Sequence, residues 1–224
     1  MHKIDIPHHL IERIVSRRGR QHIFDDLDPV NTAHLVVDLQ NGFMAPGAVC
    51  EVVTAREIVP NVNRISAALR AKGGLNVFIQ NTIDAKVGRE WTTYLDRFSS
   101  PARRARLEEA FAPGAEGQKL WPELEIAPAD FKVPKYRYGA FVEGSSDLHG
   151  LLQARGIRTV IVTGTATNVC CESTARDAMM LNYEVIFVSD GTAALSDTEH
   201  NATLGNLLGF ADVMSTEEVI AAIG

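Results

Sequence analysis

The sequence predicts an α/β fold built on a parallel sheet with helices on both faces. Two observations predict it. Compact apolar runs that read as strands alternate with helical patterns along most of the chain. The runs themselves, such as HLVVDLQ at 34–40 and RTVIVTG at 158–164, are nearly continuous in apolar residues, as strands buried on both faces are.

The elements follow in order. PHHLIERIVSRR at 7–18 places Leu10, Ile11 and Ile14 at helical spacing and reads as a leading helix. A polar connector with Pro29 separates it from the first strand. This divides the chain into an N-terminal helical extension at 1–30 and a main domain at 31–224. Val62, Ile65 and Leu69 with a Lys-Gly-Gly stop predict a helix over 59–72, and LNVFIQN at 75–81 a second strand. The stretch 82–130 predicts long functional loops with one helix from Pro101 to Phe111. FKVPK at 131–135 is a short strand. Helices are expected at 145–155, 169–182, 198–208 and 216–223, and strands at 158–164, 183–190 and over ADVM. SDGTAALSD at 189–197 reads as a strand-end loop on the pocket rim.

Bulk properties bound the function. A formal net charge of −6 argues against nonspecific nucleic-acid binding and against docking on an anionic membrane. The basic run Arg17-Arg18-Gly19-Arg20 is explained as well by a short arm or a subunit contact as by nucleic acid. No run approaches the roughly 20 apolar residues of a membrane span. Three cysteines, two of them adjacent, do not make a disulfide framework, so a reducing, cytoplasmic location is expected.

In such folds ligands bind beyond the carboxyl ends of the strands. Three reactive residues fall there. Asp38 closes HLVVD, Lys135 closes FKVPK, and Cys170 lies just beyond RTVIVTG where a helix begins. Singly, each has a bland explanation: a cap or salt-bridge partner, a solvated surface amine, a small buried hydrophobe. Together at one sheet edge they make a nucleophile with its activators. A helix N-terminus and a lysine favour the thiolate, and an aspartate can carry the proton to a leaving amine. Cys171 instead joins Ala175, Ala178 and Met179 in a packing stripe, which leaves Cys170 on the more polar face. His8, His9, His22 and His200 have no ligand spacing and read as surface or capping residues, and Cys50 as a bystander in a Gly/Pro loop.

VVDLQNGF at 36–43, KYRYGAF at 135–141 and GTATNVCCESTARDA at 164–178, in that order, closely resemble the isochorismatase-like cysteine hydrolases, over roughly residues 32–214. The resemblance implies a Rossmann-like three-layer α/β/α sandwich with a mostly parallel, about six-stranded sheet. It implies an Asp38–Lys135–Cys170 triad, a cis peptide before Ala166, and an oxyanion hole from the N–H groups of Ala166 and Cys170. Members that cleave the vinyl ether of isochorismate lack this cysteine, so Cys170 argues for C–N hydrolysis. Nicotinamidase-like members add an Asp and two His after the second strand. Asp84 follows that strand here, but no His occurs between His34 and His149, so no metal or other cofactor is expected. The motifs look most like ureidoacrylate amidohydrolases, with N-carbamoylsarcosine amidases and biuret-type hydrolases nearby.

On that likeness Asn81 and Tyr138 match substrate-contacting positions, and Arg137 is a candidate for a substrate carboxylate, with a surface salt bridge as its alternative. Gln40 and Trp91 are further substrate-side candidates. Gln40 could equally brace the strand end, and Trp91 could form a lid or a subunit contact. The expected substrate is a small amide, ureido or carbamoyl compound. The expected assembly is a homo-oligomer, dimer or tetramer, with the stripe of the leading helix covering either its own domain or a neighbour. The competing readings are an ether or ester hydrolase on the same fold and a binding protein that has kept the fold.

Overall fold

A computed structural model describes residues 1–224. Six strands form one all-parallel sheet: β1 (Thr32–Val37), β2 (Leu75–Asn81), β3 (Phe131–Lys135), β4 (Thr159–Thr165), β5 (Glu184–Ala193) and β6 (Asp212–Met214), in the order β3-β2-β1-β4-β5-β6. The helices are α1 (His8–Arg18), α2 (Asn41–Met44), α3 (Val59–Ala71), α4 (Ala85–Glu90), α5 (Pro101–Phe111), α6 (Leu148–Gln153), α7 (Glu172–Met180), α8 (Asp197–Leu207) and α9 (Thr216–Ile223).

Strand burial explains the layers. Every residue of β1 and β4 is buried, so both faces of these strands need cover. Leu35, Val37, Val160 and Val162 pack on one side against α6, α7 and α8 through Leu152, Ala175 and Leu204. Ile161 and Ile186 pack on the other side against Ile65 and Leu69 of α3 and Val219 of α9. The result is the three-layer sandwich expected from the sequence. The chain runs outward from β1 through β2 to β3, then returns to lay β4 on the other side of β1. Between β1 and β4 the direction of winding reverses, and the crevice at their carboxyl ends is the favoured ligand position.

The close approach of β1 and β4 depends on one glycine. Gly164 is at φ +116°, and a Cβ there would lie 2.0 Å from the Val37 carbonyl oxygen of β1. Gly164→Ala is expected to destabilise the fold by about 3 kcal/mol or more, read as a lowered thermal midpoint, because the obstacle is paired backbone that cannot move aside.

The leading helix α1 docks on its own domain. Ile14 is buried in the core on the α8 side, with Leu10 and Ile11 packed against it. Arg18 donates to the carbonyls of Leu208 and Ala211, and Arg20 pairs with Asp25, so the basic run is used partly within the chain. No helix is long and apolar enough to cross a membrane.

Three boundaries differ from the sequence expectation, each where the backbone changes course near the crevice. Strand β1 ends at Val37, and Asp38 turns into the left-handed region at φ +54°. The helix expected at 169–182 is a π-helical turn, Thr167–Cys171, followed by α7. Strand β5 continues through Ala193 rather than ending in a loop at 189, by a register shift against β4 between Val162 and Gly164. In 82–130, α5 has the expected bounds, and α4 and a second π-helical turn at Thr93–Arg97 add order to the expected loops.

Candidate active site

Asp38, Lys135 and Cys170 meet beyond the strand ends, where Cys170 lines a cavity of about 470 Å³ and the other two lie buried beside it. Three parallel strands deliver them: Asp38 directly follows β1, Lys135 ends β3, and the turn after β4 carries Cys170. Lys135 Nζ lies 3.0 Å from Asp38 Oδ2, and neither side chain has any exposure. Lys135 also donates to the Arg137 carbonyl at 2.9 Å. Asp38 Oδ1 accepts from the Asn81 N–H at 3.1 Å. No hydrogen bond is aligned on Oδ2, so this buried oxygen keeps lone-pair capacity beside the thiol.

Burial dominates the electrostatics. It pushes the Asp38 carboxyl up, against the opposing pull of Lys135, Cys170 and the Asn81 N–H. It disfavours the Lys135 ammonium, but Asp38 and Cys170 outweigh it and the amine ends above its ordinary value. It pushes the Cys170 thiol far up, with Lys135 opposing and Asp38 adding. Burial thus disfavours the free thiolate, Lys135 opposes that effect, and Asp38 is the neighbour placed to take the proton.

The two adjacent cysteines part company here. Cys170 lines the cavity, whereas Cys171 is fully buried with its sulfur 3.9 Å from the Thr163 carbonyl. Ala175 and Ala178 share that packing stripe, but Met179 is exposed at its end. The peptide bond between Thr165 and Ala166 is cis, as the resemblance implied, and Ala166 lines the same cavity.

Asn81, Trp91 and Tyr138 also line the cavity. Gln40 does not. It is fully buried and clamps the end of β2, donating to the Asn81 and Gln118 carbonyls and accepting from the Asn81 N–H at 2.7 Å. Arg137 is likewise absent from the wall. It stands 3.7 Å from Glu90 in an ion pair and packs over the Trp91 ring at 5.5 Å. Asp84 caps α4 by accepting from the Val87 N–H at 2.8 Å.

Several wall residues carried no mark in the sequence. Tyr94 meets Trp91 and Tyr138 at ring-centroid distances of 4.5 and 5.3 Å. Cys50, read as a bystander, and Arg103, in the first turn of α5, complete that side, and Glu199 of α8 lies on the wall as well. The three-residue spacing of Trp91 and Tyr94 was the available signal for Tyr94. Arg103 had none, being one of three arginines in PARRAR.

His200 is a correction of a different kind. It is fully buried, donates from Nε2 to the Ser189 carbonyl (2.9 Å) and accepts at Nδ1 from the Thr167 hydroxyl (2.9 Å), which ties α8 to the turn that carries Cys170. His2 stacks on it with ring centroids 4.3 Å apart. Burial and the neighbouring His2 lower the His200 ring to about 4, so it stays neutral.

Comparison with known proteins gives the chain's family. The family model for the isochorismatase domain matches residues 32–218. The ureidoacrylate amidohydrolase RutB of Pseudomonas savastanoi pv. phaseolicola is 34% identical over 197 residues, covering 82% of this chain and 80% of the relative. RutB of Variovorax paradoxus is 37% identical over 177 residues, covering 74% and 69%. A cysteine hydrolase from Pseudomonas syringae pv. phaseolicola superposes with a TM-score of 0.75 at 28% identity, covering 88% of this chain and 94% of that one. An N-carbamoylsarcosine amidase from Thermoplasma acidophilum shares the fold, with a TM-score of 0.66 at 24% identity over 84% and 97% of the two chains. Matched over most of its length by both sequence and architecture, the chain belongs to the isochorismatase family and is a hydrolase of carbon–nitrogen bonds other than peptide bonds.

Proposed function

We propose that the protein hydrolyses the terminal C–N bond of a small ureido or carbamoyl compound through a thioester on Cys170. The observation that carries this reading is the fully buried Asp38–Lys135 ion pair beside Cys170, which lines the cavity. Likeness to ureidoacrylate amidohydrolases supports the substrate class.

The roles follow from charge. As Cys170 Sγ bonds to the substrate carbonyl carbon, the thiol proton passes to Asp38, whose raised proton affinity suits it to accept. Lys135 stays cationic throughout, which keeps Asp38 ionised before attack and stabilises charge developing on sulfur. The N–H groups of Ala166 and Cys170 hold the oxyanion. Asp38 then returns the proton to the departing nitrogen, and ammonia leaves as the carbonyl re-forms on sulfur. In the second half Asp38 takes a proton from water, the hydroxyl oxygen bonds to the thioester carbon, and the C–S bond breaks with sulfur recovering its proton. A ureido substrate thus yields ammonia and a carbamic acid, which decomposes to carbon dioxide and an amine.

A panel of ureido acids, carbamoyl amino acids, simple amides and matched esters, assayed for ammonia, tests the reading. Ammonia release that is stoichiometric with substrate loss is expected for the ureido and carbamoyl compounds. Turnover confined to ethers or esters, with no ammonia from any amide, would remove it.

A further inference from the structure

We propose that Arg103 is the specificity-determining residue for a substrate carboxylate, so that the natural substrates are anionic: ureido or carbamoyl acids with a short, flat spacer between the two ends. This rests on the C–N hydrolase reading of the same cavity.

The charge balance of the wall points to Arg103. Three charged side chains line the cavity: Glu51, Arg103 and Glu199. Glu51 is already satisfied by Arg56 at 2.9 Å and by the Gly47 N–H at 2.8 Å. Glu199 accepts the Ser196 hydroxyl at 2.7 Å in the first turn of α8, where the helix dipole also favours it. Arg103 has no carboxylate partner: it donates to the Val49 carbonyl at 3.3 Å and to the Cys50 sulfur at 3.7 Å, and the Tyr94 hydroxyl lies beside it. A guanidinium carries five N–H donors in a planar fork that matches a carboxylate, so donors remain on this exposed side chain for a ligand in the cavity it lines. None of these contacts neutralises its charge.

The spacer is read from the wall between Arg103 and the thiol. Tyr94 lies between Arg103, close enough to feel its charge, and the Tyr138 ring at 5.3 Å, and Tyr138 in turn lies close enough to Cys170 to feel its charge. Trp91 meets Tyr138 edge-on at 4.9 Å, so the three rings form one continuous aromatic surface from the arginine to the nucleophile. Burial raises both tyrosine hydroxyls above their ordinary value, which keeps them neutral donors. A planar, conjugated spacer stacks on such a surface, whereas a branched one does not. A ureido group at Cys170 and a carboxylate at Arg103 then occupy the two ends of the cavity.

The test compares 3-ureidoacrylate with its neutral methyl ester on the full-length protein and on Arg103→Gln and Arg103→Lys. Loss of a charged hydrogen-bonding partner is expected to reduce the acid-over-ester preference in kcat/KM by about ten- to a hundredfold in Arg103→Gln. The change should fall on KM for the acid. Arg103→Lys should recover part of the preference, since it restores the charge without the fork. An unchanged preference in Arg103→Gln overturns the proposal. Binding of the same two compounds to Cys170→Ala, with and without Arg103→Gln, is measured by calorimetry as the independent arm. Tighter binding of the acid that disappears in the double variant supports Arg103 even if neither compound is turned over, in which case it is the hydrolase reading that fails. Equal binding of acid and ester to Cys170→Ala overturns the proposal whatever the turnover.

Discussion

Cys170→Ala is expected to lose at least about 10⁴-fold in ammonia release while keeping its fold. Removing a nucleophile leaves only the contribution of binding and oxyanion stabilisation, and no second group near the carbonyl carbon can replace it. Cys170→Ser should be similarly inactive, because a buried hydroxyl is much harder to ionise than a thiol in a site that already penalises charge. The structural cost is small, since the sulfur borders a cavity rather than filling a packed core. Cys171→Ala makes the paired control. Its sulfur is enclosed in the core beneath α7, so truncation should cost about 1 kcal/mol of stability and leave turnover within tenfold. Steady-state rates with thermal melts on the three variants check this. A live Cys170→Ala, or a dead but folded Cys171→Ala, would transfer the assignment.

The second large effect lies in the ion pair. Asp38→Asn and Lys135→Met should each lower turnover by about 10²–10⁴-fold. Each should also lower stability by about 3 kcal/mol, because each strands a buried charge whose partner is gone. Losing activity by unfolding and losing it by chemistry must therefore be separated. The double variant Asp38→Asn/Lys135→Met does this. With both charges removed it should recover most of the stability of the parent but none of its activity. A double variant as active as the parent would show that the pair is structural. The rate of Cys170 alkylation gives a further readout: Lys135→Met should slow it, since the ammonium is the group that opposes the rise in the thiol's pKa.

Much of this architecture was legible in the residues. The buried strands announced themselves by continuous apolar runs, and α5 has the bounds Pro101 to Phe111 that the sequence led us to expect. Asp38, Lys135 and Cys170 were findable because each is a reactive residue at a strand end, and the topology forces strand ends together. What escaped had no local sign. His2 and His200 touch across almost the whole length of the chain, and nothing in either neighbourhood marks the other. Gln40 and Arg137 sat in motif segments, but which way a side chain turns at a strand end depends on backbone geometry such as the left-handed Asp38 beside Gln40. The π-helical turn at Thr167–Cys171 looked helical because helical spacing and a wider turn differ by a single residue. Arg103 was one of several like charges, and only the tertiary arrangement shows that it lacks a carboxylate.

The contacts of the amino-terminal segment have a consequence for biosynthesis. His2 stacks on His200, receives the Ala194 N–H at 2.9 Å and lies 2.7 Å from Asp197, and Arg18 binds carbonyls at 208 and 211. Every one of these partners lies 190 or more residues further along the chain. At ribosomal speeds of about 5–20 residues per second, the leading segment therefore waits roughly 10–40 s after its own synthesis for its docking surface. Throughout that interval the stripe of Leu10, Ile11 and Ile14 is uncovered, and the segment is fastened only after most of the sheet has been made.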